Sequence, residues 1–221
     1  MYRHKYYNIG MKTILCYGDS NTYGYDPRNG SRYPKEQRWP NILANLLENN
    51  YEIIAEGLNG RTTAFDRDRE DSRNGIKHFK TIFNSHRPID ILIFMLGTND
   101  CNQELHLSSK DISEAMEALI LHAKEVATEK QGYIPKIILI APAAILNDYK
   151  HSPFADQLDD YSIIKSKEIA ALYKELAQIH QCIYLDASCL EVSKLDSEHL
   201  TINGHQKLAE MLKEVIDENN C

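Results

Sequence analysis

Acyl transfer needs a hydroxyl nucleophile, a base to take its proton, a group to orient the base, and donors aimed at the developing oxyanion. The chain offers one residue type for each task. Ser20 follows Gly18-Asp19, and His199 follows Asp196 by three positions. That spacing lets one turn of loop set a carboxylate against an imidazole, fixing its tautomer and orientation. Asn99, in Gly97-Thr98-Asn99-Asp100, brings a side-chain amide, and Gly60, within segment 57–63, brings a backbone N–H that a substrate can approach closely. Ser20, Asp196 and His199 are therefore the candidate catalytic residues, with the Ser20 and Gly60 N–H groups and the Asn99 amide as the candidate oxyanion hole. Tyr23 and Tyr25 closely follow the nucleophile and are candidates to line a substrate pocket, packing at a helix start being the even alternative.

Each residue alone has a plainer explanation. Ser20 or Asp19 could cap a helix, and Asn99 and Asp100 are turn-formers. Of nine histidines, most sit at surfaces or satisfied in cores, and His205 is expected to be one of these, in the first turn of the last helix. Arg61 reads as a buried brace for the 57–63 loop, through carbonyls or Asp19. The catalytic reading gains its weight from the set. The G-x-S-x-G signature is absent, since Thr22 stands where its second glycine would be, so an ordinary α/β-hydrolase elbow is not expected.

Five short β-branched or apolar runs, at 13–17, 51–55, 89–96, 137–141 and 182–185, read as buried parallel strands. Helical periods lie between them. The clearest spans 111–130, with Ile112, Met116, Leu119, Ile120, Ala123 and Val126 on one face; Pro40 opens another, Leu172, Leu176 and Ile179 stripe a third, and Leu208 to Ile216 mark the last. The alternation predicts a three-layer α/β/α sandwich on a five-stranded parallel sheet of flavodoxin-like order 2-1-3-4-5. In such a sheet ligands bind beyond the carboxyl ends of the strands, where the four polar loops would gather. Segments 25–39 and 143–160 fit no regular element and are expected to be functional or contact-forming. Residues 11–221 read as one domain, with 1–10 as a tail outside the fold.

A net charge of −7 argues against nucleic acid as a partner, and no apolar run reaches the roughly 20 residues of a membrane helix. Five scattered cysteines and no signal-peptide stretch point to a reducing, cytoplasmic setting. No phosphate-binding glycine motif is present, and Asp196 and His199 lack a recognisable third metal ligand, so neither a phosphate-binding module nor a metal-dependent hydrolase is expected; the acyl-transfer set points to a small-molecule ester as partner.

In combination and order, Gly18-Asp19-Ser20, segment 57–63, Gly97-Thr98-Asn99-Asp100 and Asp196-Ser197-Glu198-His199 resemble the four motif blocks of the SGNH, or GDSL, hydrolases. Asn21 takes the place of the leucine that named GDSL. The strings GDSNTYGYDP, RWPNILANLL, EGLNGRTT and MLGTND are similar to the branch of bacterial arylesterases, acyltransferases and carbohydrate acetylesterases. The resemblance implies a cofactor-free serine esterase for short acyl esters of aryl alcohols or sugars, with acyl transfer as a side activity. It implies Gly60 as the oxyanion glycine, with Gly57 as a nearby competitor. It also implies homo-oligomers in some relatives, built partly from the loop before Arg-Trp-Pro; that loop, 25–38, is shorter here than in the best acyltransferases. The alternatives are a thioesterase or lysophospholipase on longer chains and, from another class, a non-catalytic flavodoxin-like binding module.

Overall fold

A computed structural model describes residues 10–67, 71–219 and 221, so the expected tail lies, but for Gly10, outside the described residues. In chain order the elements are β1 (Lys12–Gly18), α1 (Ser20–Tyr23), β2 (Tyr25–Asp26), β3 (Ser31–Arg32), α2 (Trp39–Leu46), β4 (Tyr51–Gly57), α3 (Gly75–His86), β5 (Ile91–Met95), α4 (Ser109–Gln131), β6 (Lys136–Ala141), α5 (Asp160–His180), β7 (Ile183–Asp186) and α6 (Ile202–Glu218). The main sheet runs β4-β1-β5-β6-β7, parallel throughout, which is the expected 2-1-3-4-5 order of the five long strands. β2 and β3 form a small antiparallel ribbon inside segment 25–39, where no regular element was expected.

Alternation along the strands divides the core into two layers. Leu15, Tyr17, Leu92, Phe94 and Leu139 meet α3, α4 and α5, whereas Ile14, Cys16, Ile91, Ile93, Ile138 and Ile140 meet α2 and α6. Each such side chain fully removed from water contributes about 1.5–3 kcal/mol. Helix α4 starts at a capping box between Ser108 and Asp111 and stops at Gly132 in the left-handed conformation. None of the helices among the described residues is long and apolar enough to cross a membrane.

Two expectations need correction, and one helix had no expectation at all. Only β1, β5 and β6 are buried almost throughout; β4 and β7 are edge strands and stay half-exposed. Ile179 is 69% exposed, because the inner face of α5 runs through Ile169, Tyr173, Leu176 and Ala177 and its next position falls at His180. Helix α3 was not anticipated, although Phe79 and Phe83 anchor it with no exposure at all.

The strand ends are level. Gly18 pairs with Gly57 on one side and Met95 on the other, so the loops that follow β1, β4 and β5 leave the sheet together.

Candidate active site

The first loop is shaped by close packing. A Cβ at Gly18 would lie 2.1 Å from Thr22 Oγ1 and 2.8 Å from the Met95 carbonyl, so α1 can fold back over the end of β1 only above a glycine. Asp19 caps that helix, its Oδ1 accepting from the Asn21 N–H at 2.9 Å. Burial pushes the Asp19 carboxyl up to about 6, opposed by the Asn21 hydrogen bond and the fields of His199 and Arg61. With Asp19 as the cap, the Ser20 hydroxyl is left for another partner.

That partner is His199. Its Nε2 stands 2.8 Å from Ser20 Oγ and its Nδ1 stands 2.8 Å from Asp196 Oδ2. A carboxylate only accepts, so Nδ1 carries the proton and Nε2 offers its lone pair to the Ser20 O–H. Asp196 Oδ1 also accepts the His199 N–H at 3.2 Å, which fixes backbone and ring together. Burial works to lower the imidazole pKa, but the Asp196 hydrogen bond and the charges of Glu198, Asp196 and Asp19 prevail, and the net shift is upward.

Asn21 holds this arrangement across the length of the chain. Its Oδ1 accepts the Leu200 N–H at 2.8 Å, and its Nδ2 donates to the Glu198 carbonyl at 3.2 Å. The residue after the serine thus straps α1 to the Asp196–His199 loop.

Block two and block three close the opposite side. Gly60, at φ 76, and Asn99 both line the cleft beside Ser20. Asn99 Nδ2 donates to the Arg61 carbonyl at 3.2 Å and lies 3.5 Å from Asp19 Oδ2. Asp100, fully buried, accepts the Thr63 N–H at 2.9 and 3.1 Å, and burial pushes its carboxyl up to about 7. Gly57 does not line the cleft; a Cβ there would strike the Tyr23 nitrogen at 2.1 Å, so its smallness serves the contact between β4 and α1. Arg61 braces carbonyls as expected: its Nη1 donates to Gly18 O at 2.7 Å and to Glu56 O, with the guanidinium 4.2 Å above the Tyr17 ring.

The cleft holds about 220 Å³. One wall is aromatic: the Tyr25 ring lies 4.3 Å from the His199 ring and the Phe154 ring 5.8 Å from it. The rest of the lining includes polar side chains, with Asn59, Arg67, Arg73, Gln157 and Glu198 among them. Arg67 is held by Glu104 at 2.7 Å and Gln157 at 3.2 Å. Tyr25 thus faces the cleft, whereas Tyr23 lies outside it under the Arg32 guanidinium, 4.1 Å from its ring. Phe154, Arg67 and Gln157 escaped sequence reading; the only signal for Phe154 and Gln157 was the length of segment 143–160, and Arg67 carried none. His205 is fully buried away from the cleft, with its Nδ1 accepting the Trp39 N–H at 3.4 Å and its pKa pushed down to about 3 by burial. No cluster of three metal-ligating side chains occurs among the described residues.

A nucleophile, an oriented base and flanking donors in one cleft can carry out acyl transfer. A family model for GDSL-like lipases and acylhydrolases matches residues 16–215. A carbohydrate acetylesterase from Sinorhizobium meliloti superposes with a TM-score of 0.86 at 31% identity, covering 94% of this chain and 99% of that one. The aryl esterase of M. smegmatis superposes equally well, at 0.86, with 29% identity over 94% and 99% of the two chains. A lipoprotein of Bacillus subtilis strain 168, YqeF, is 38% identical over 93 residues, 41% of this chain and a third (33%) of that protein.

Proposed function

The chain belongs to the GDSL-like lipase/acylhydrolase family as a serine ester hydrolase, and on that premise we propose that it cleaves short-chain acyl esters of aryl alcohols or sugars through an acyl-enzyme on Ser20. The observation that carries this reading is the relay from Ser20 Oγ through His199 to Asp196, both links at 2.8 Å, opening into the cleft.

In the proposed cycle His199 Nε2 takes the Ser20 proton as Oγ bonds to the ester carbonyl carbon. The Ser20 and Gly60 N–H groups and one Asn99 amide N–H hold the oxyanion. Asn99 has that donor to give, because its 3.5 Å contact with Asp19 is at the limit of a hydrogen bond. As the tetrahedral centre collapses, the proton passes from His199 to the leaving alkoxide and the C–O bond breaks. Water then gives a proton to His199 as it attacks the acyl carbon; His199 returns that proton to Ser20 Oγ as the acyl–Oγ bond breaks, which releases the acid and restores the Ser20 hydroxyl. An alcohol in place of water would give acyl transfer by the same steps.

Size and lining support short substrates. The cleft, at about 220 Å³, is below the roughly 300–1,000 Å³ of pockets that enclose larger ligands. His199 protonates the leaving group, so the Tyr25 and Phe154 rings beside it are placed to pack on that group, and Tyr25 is read as a substrate contact. The polar part of the lining suits hydroxyl-bearing substrates.

A panel of aryl acetates, acetylated sugars and longer acyl esters, with S20A as the blank, tests the reading. Turnover of acetyl esters that vanishes in a folded S20A is expected. Retained activity in that variant, or a clear preference for long acyl chains, would overturn it.

A further inference from the structure

The relay employs Asp196 and His199 but leaves a second acid of the same loop without a task. Ser197, fully buried between them, adopts φ 71, a left-handed conformation uncommon for a residue with a side chain. Its neighbours part there: Asp196 accepts from the imidazole Nδ1, and Glu198 lines the cleft. Glu198 Oε1 comes within 3.9 Å of His199 Nδ1, the nitrogen that already donates to Asp196. The Glu198 backbone is tied on both sides, its N–H to Asp196 Oδ1 at 3.3 Å and its carbonyl to Asn21 Nδ2 at 3.2 Å. A spacer with no part in the site would need neither a strained predecessor nor an inward side chain.

We propose that Glu198 is a positioning residue acting through His199: its carboxylate, held on the cleft wall beside the imidazole, favours the imidazolium formed when Ser20 loses its proton and makes His199 the stronger base. This rests on the reading of Ser20, His199 and Asp196 given above. The proton still travels only from Ser20 Oγ to His199 Nε2 and on to the leaving alkoxide; Glu198 neither takes nor gives it. The charges acting on His199 are those of Glu198, Asp196 and Asp19, with the Tyr25 ring on its flank. Those acting on Glu198 are His199, Asp196, Asp19 and Arg67. Burial pushes the Glu198 carboxyl up to about 7, and its charge helps raise the imidazole, so the two titrations are coupled.

The test is the pH profile of kcat/KM on p-nitrophenyl acetate for the wild type, E198Q, E198D and S20A. Glutamine keeps the size and the inward polar group but removes the charge. In E198Q the acidic limb is expected to move down by about half a pH unit to one unit, and the plateau to fall about three- to tenfold, as a weaker base gives. E198D should keep the limb near its wild-type position, and melting temperatures should stay close to the wild type. A profile of E198Q superimposable on the wild type overturns the proposal. An active S20A would instead strike the underlying reading. If E198Q turns over too slowly to profile, NMR titration of the His199 ring in S20A and in S20A carrying E198Q decides the same point: a lower imidazole pKa without Glu198 is expected, and equal values refute it.

Discussion

Arg61 Nη1 donates to the carbonyl of Gly18 at 2.7 Å, so the loop that follows β4 grips the end of the strand that delivers Ser20. The same guanidinium lies 4.2 Å above the Tyr17 ring and reaches the Glu56 carbonyl. The guanidinium plane stacks on Tyr17 while its Nη1 serves both carbonyls, a combination that a lysine ammonium would not keep. Arg61→Lys should therefore lower kcat/KM by about 10–100-fold through misplacement of Ser20 and Gly60. It should also cost about 1.5–3 kcal/mol in urea unfolding. Kinetics and stability indistinguishable from the wild type would show that the brace is dispensable.

Asp196→Asn tests the orienting acid. An amide that donates to Nδ1 forces the proton onto Nε2, leaving no lone pair for Ser20, and a kcat loss on the order of 10⁴ is expected. The sign of the pH effect is separate. Asp196 helps raise the His199 pKa, so any residual activity should begin its rise at lower pH than in the wild type. A loss below about tenfold would remove Asp196 from the relay.

Gly57 and Gly60 make a contrasting pair. A methyl at Gly57 would meet the Tyr23 nitrogen at 2.1 Å and the Thr22 carbonyl carbon at 2.5 Å, both main-chain atoms, whereas one at Gly60 would meet the tip of Arg73 at 2.7 Å. Gly57→Ala should destabilise by at least about 1–3 kcal/mol as α1 is displaced. Gly60→Ala strains a φ of 76; it should leave a folded protein whose kcat falls by about 10²-fold or more as the oxyanion N–H is misaimed. Thermal melts beside single-substrate kinetics separate the two, and the reverse ranking would contradict both assignments.

Asp100 predicts a stability profile. Its folded pKa, about 7, is above the ordinary 3.8. The folded state therefore keeps a proton that the unfolded chain releases, and stability falls as pH rises between those values. Asp100→Asn keeps an acceptor for the Thr63 N–H and removes that fall. Relative to the wild type, the variant should gain on the order of a few degrees in Tm between pH 5 and pH 8. A difference in Tm that does not change with pH would mean that Asp100 does not titrate there.

The strand order and the identity of the relay were legible because both rest on local chemistry. Buried strands demand apolar runs such as Ile14 to Tyr17, and a carboxylate three residues before a histidine needs one turn of loop to reach it. Edge strands were harder to recognise: Ile53, Ile54 and Ala55 give β4 the apolar centre of a buried strand, but Glu52 and Glu56 flank it and its place at the sheet margin leaves it half-exposed. Tyr23 and Tyr25 could not be told apart for a similar reason. Gly24, at φ 87, turns the chain between them, and only Tyr25 faces the cleft.

The sequence by itself determined the order of elements, the four polar loops at the strand ends, and the residue types able to run acyl transfer. Tertiary structure alone decided who shares the cleft. Arg67 meets Gln157 across 90 positions and Asn21 straps Glu198 across 177, and Phe154 reaches His199 from a loop without strand or α-helix. Such partners have no spacing to betray them, because the direction of a loop side chain is set by whatever packs against it from elsewhere in the chain.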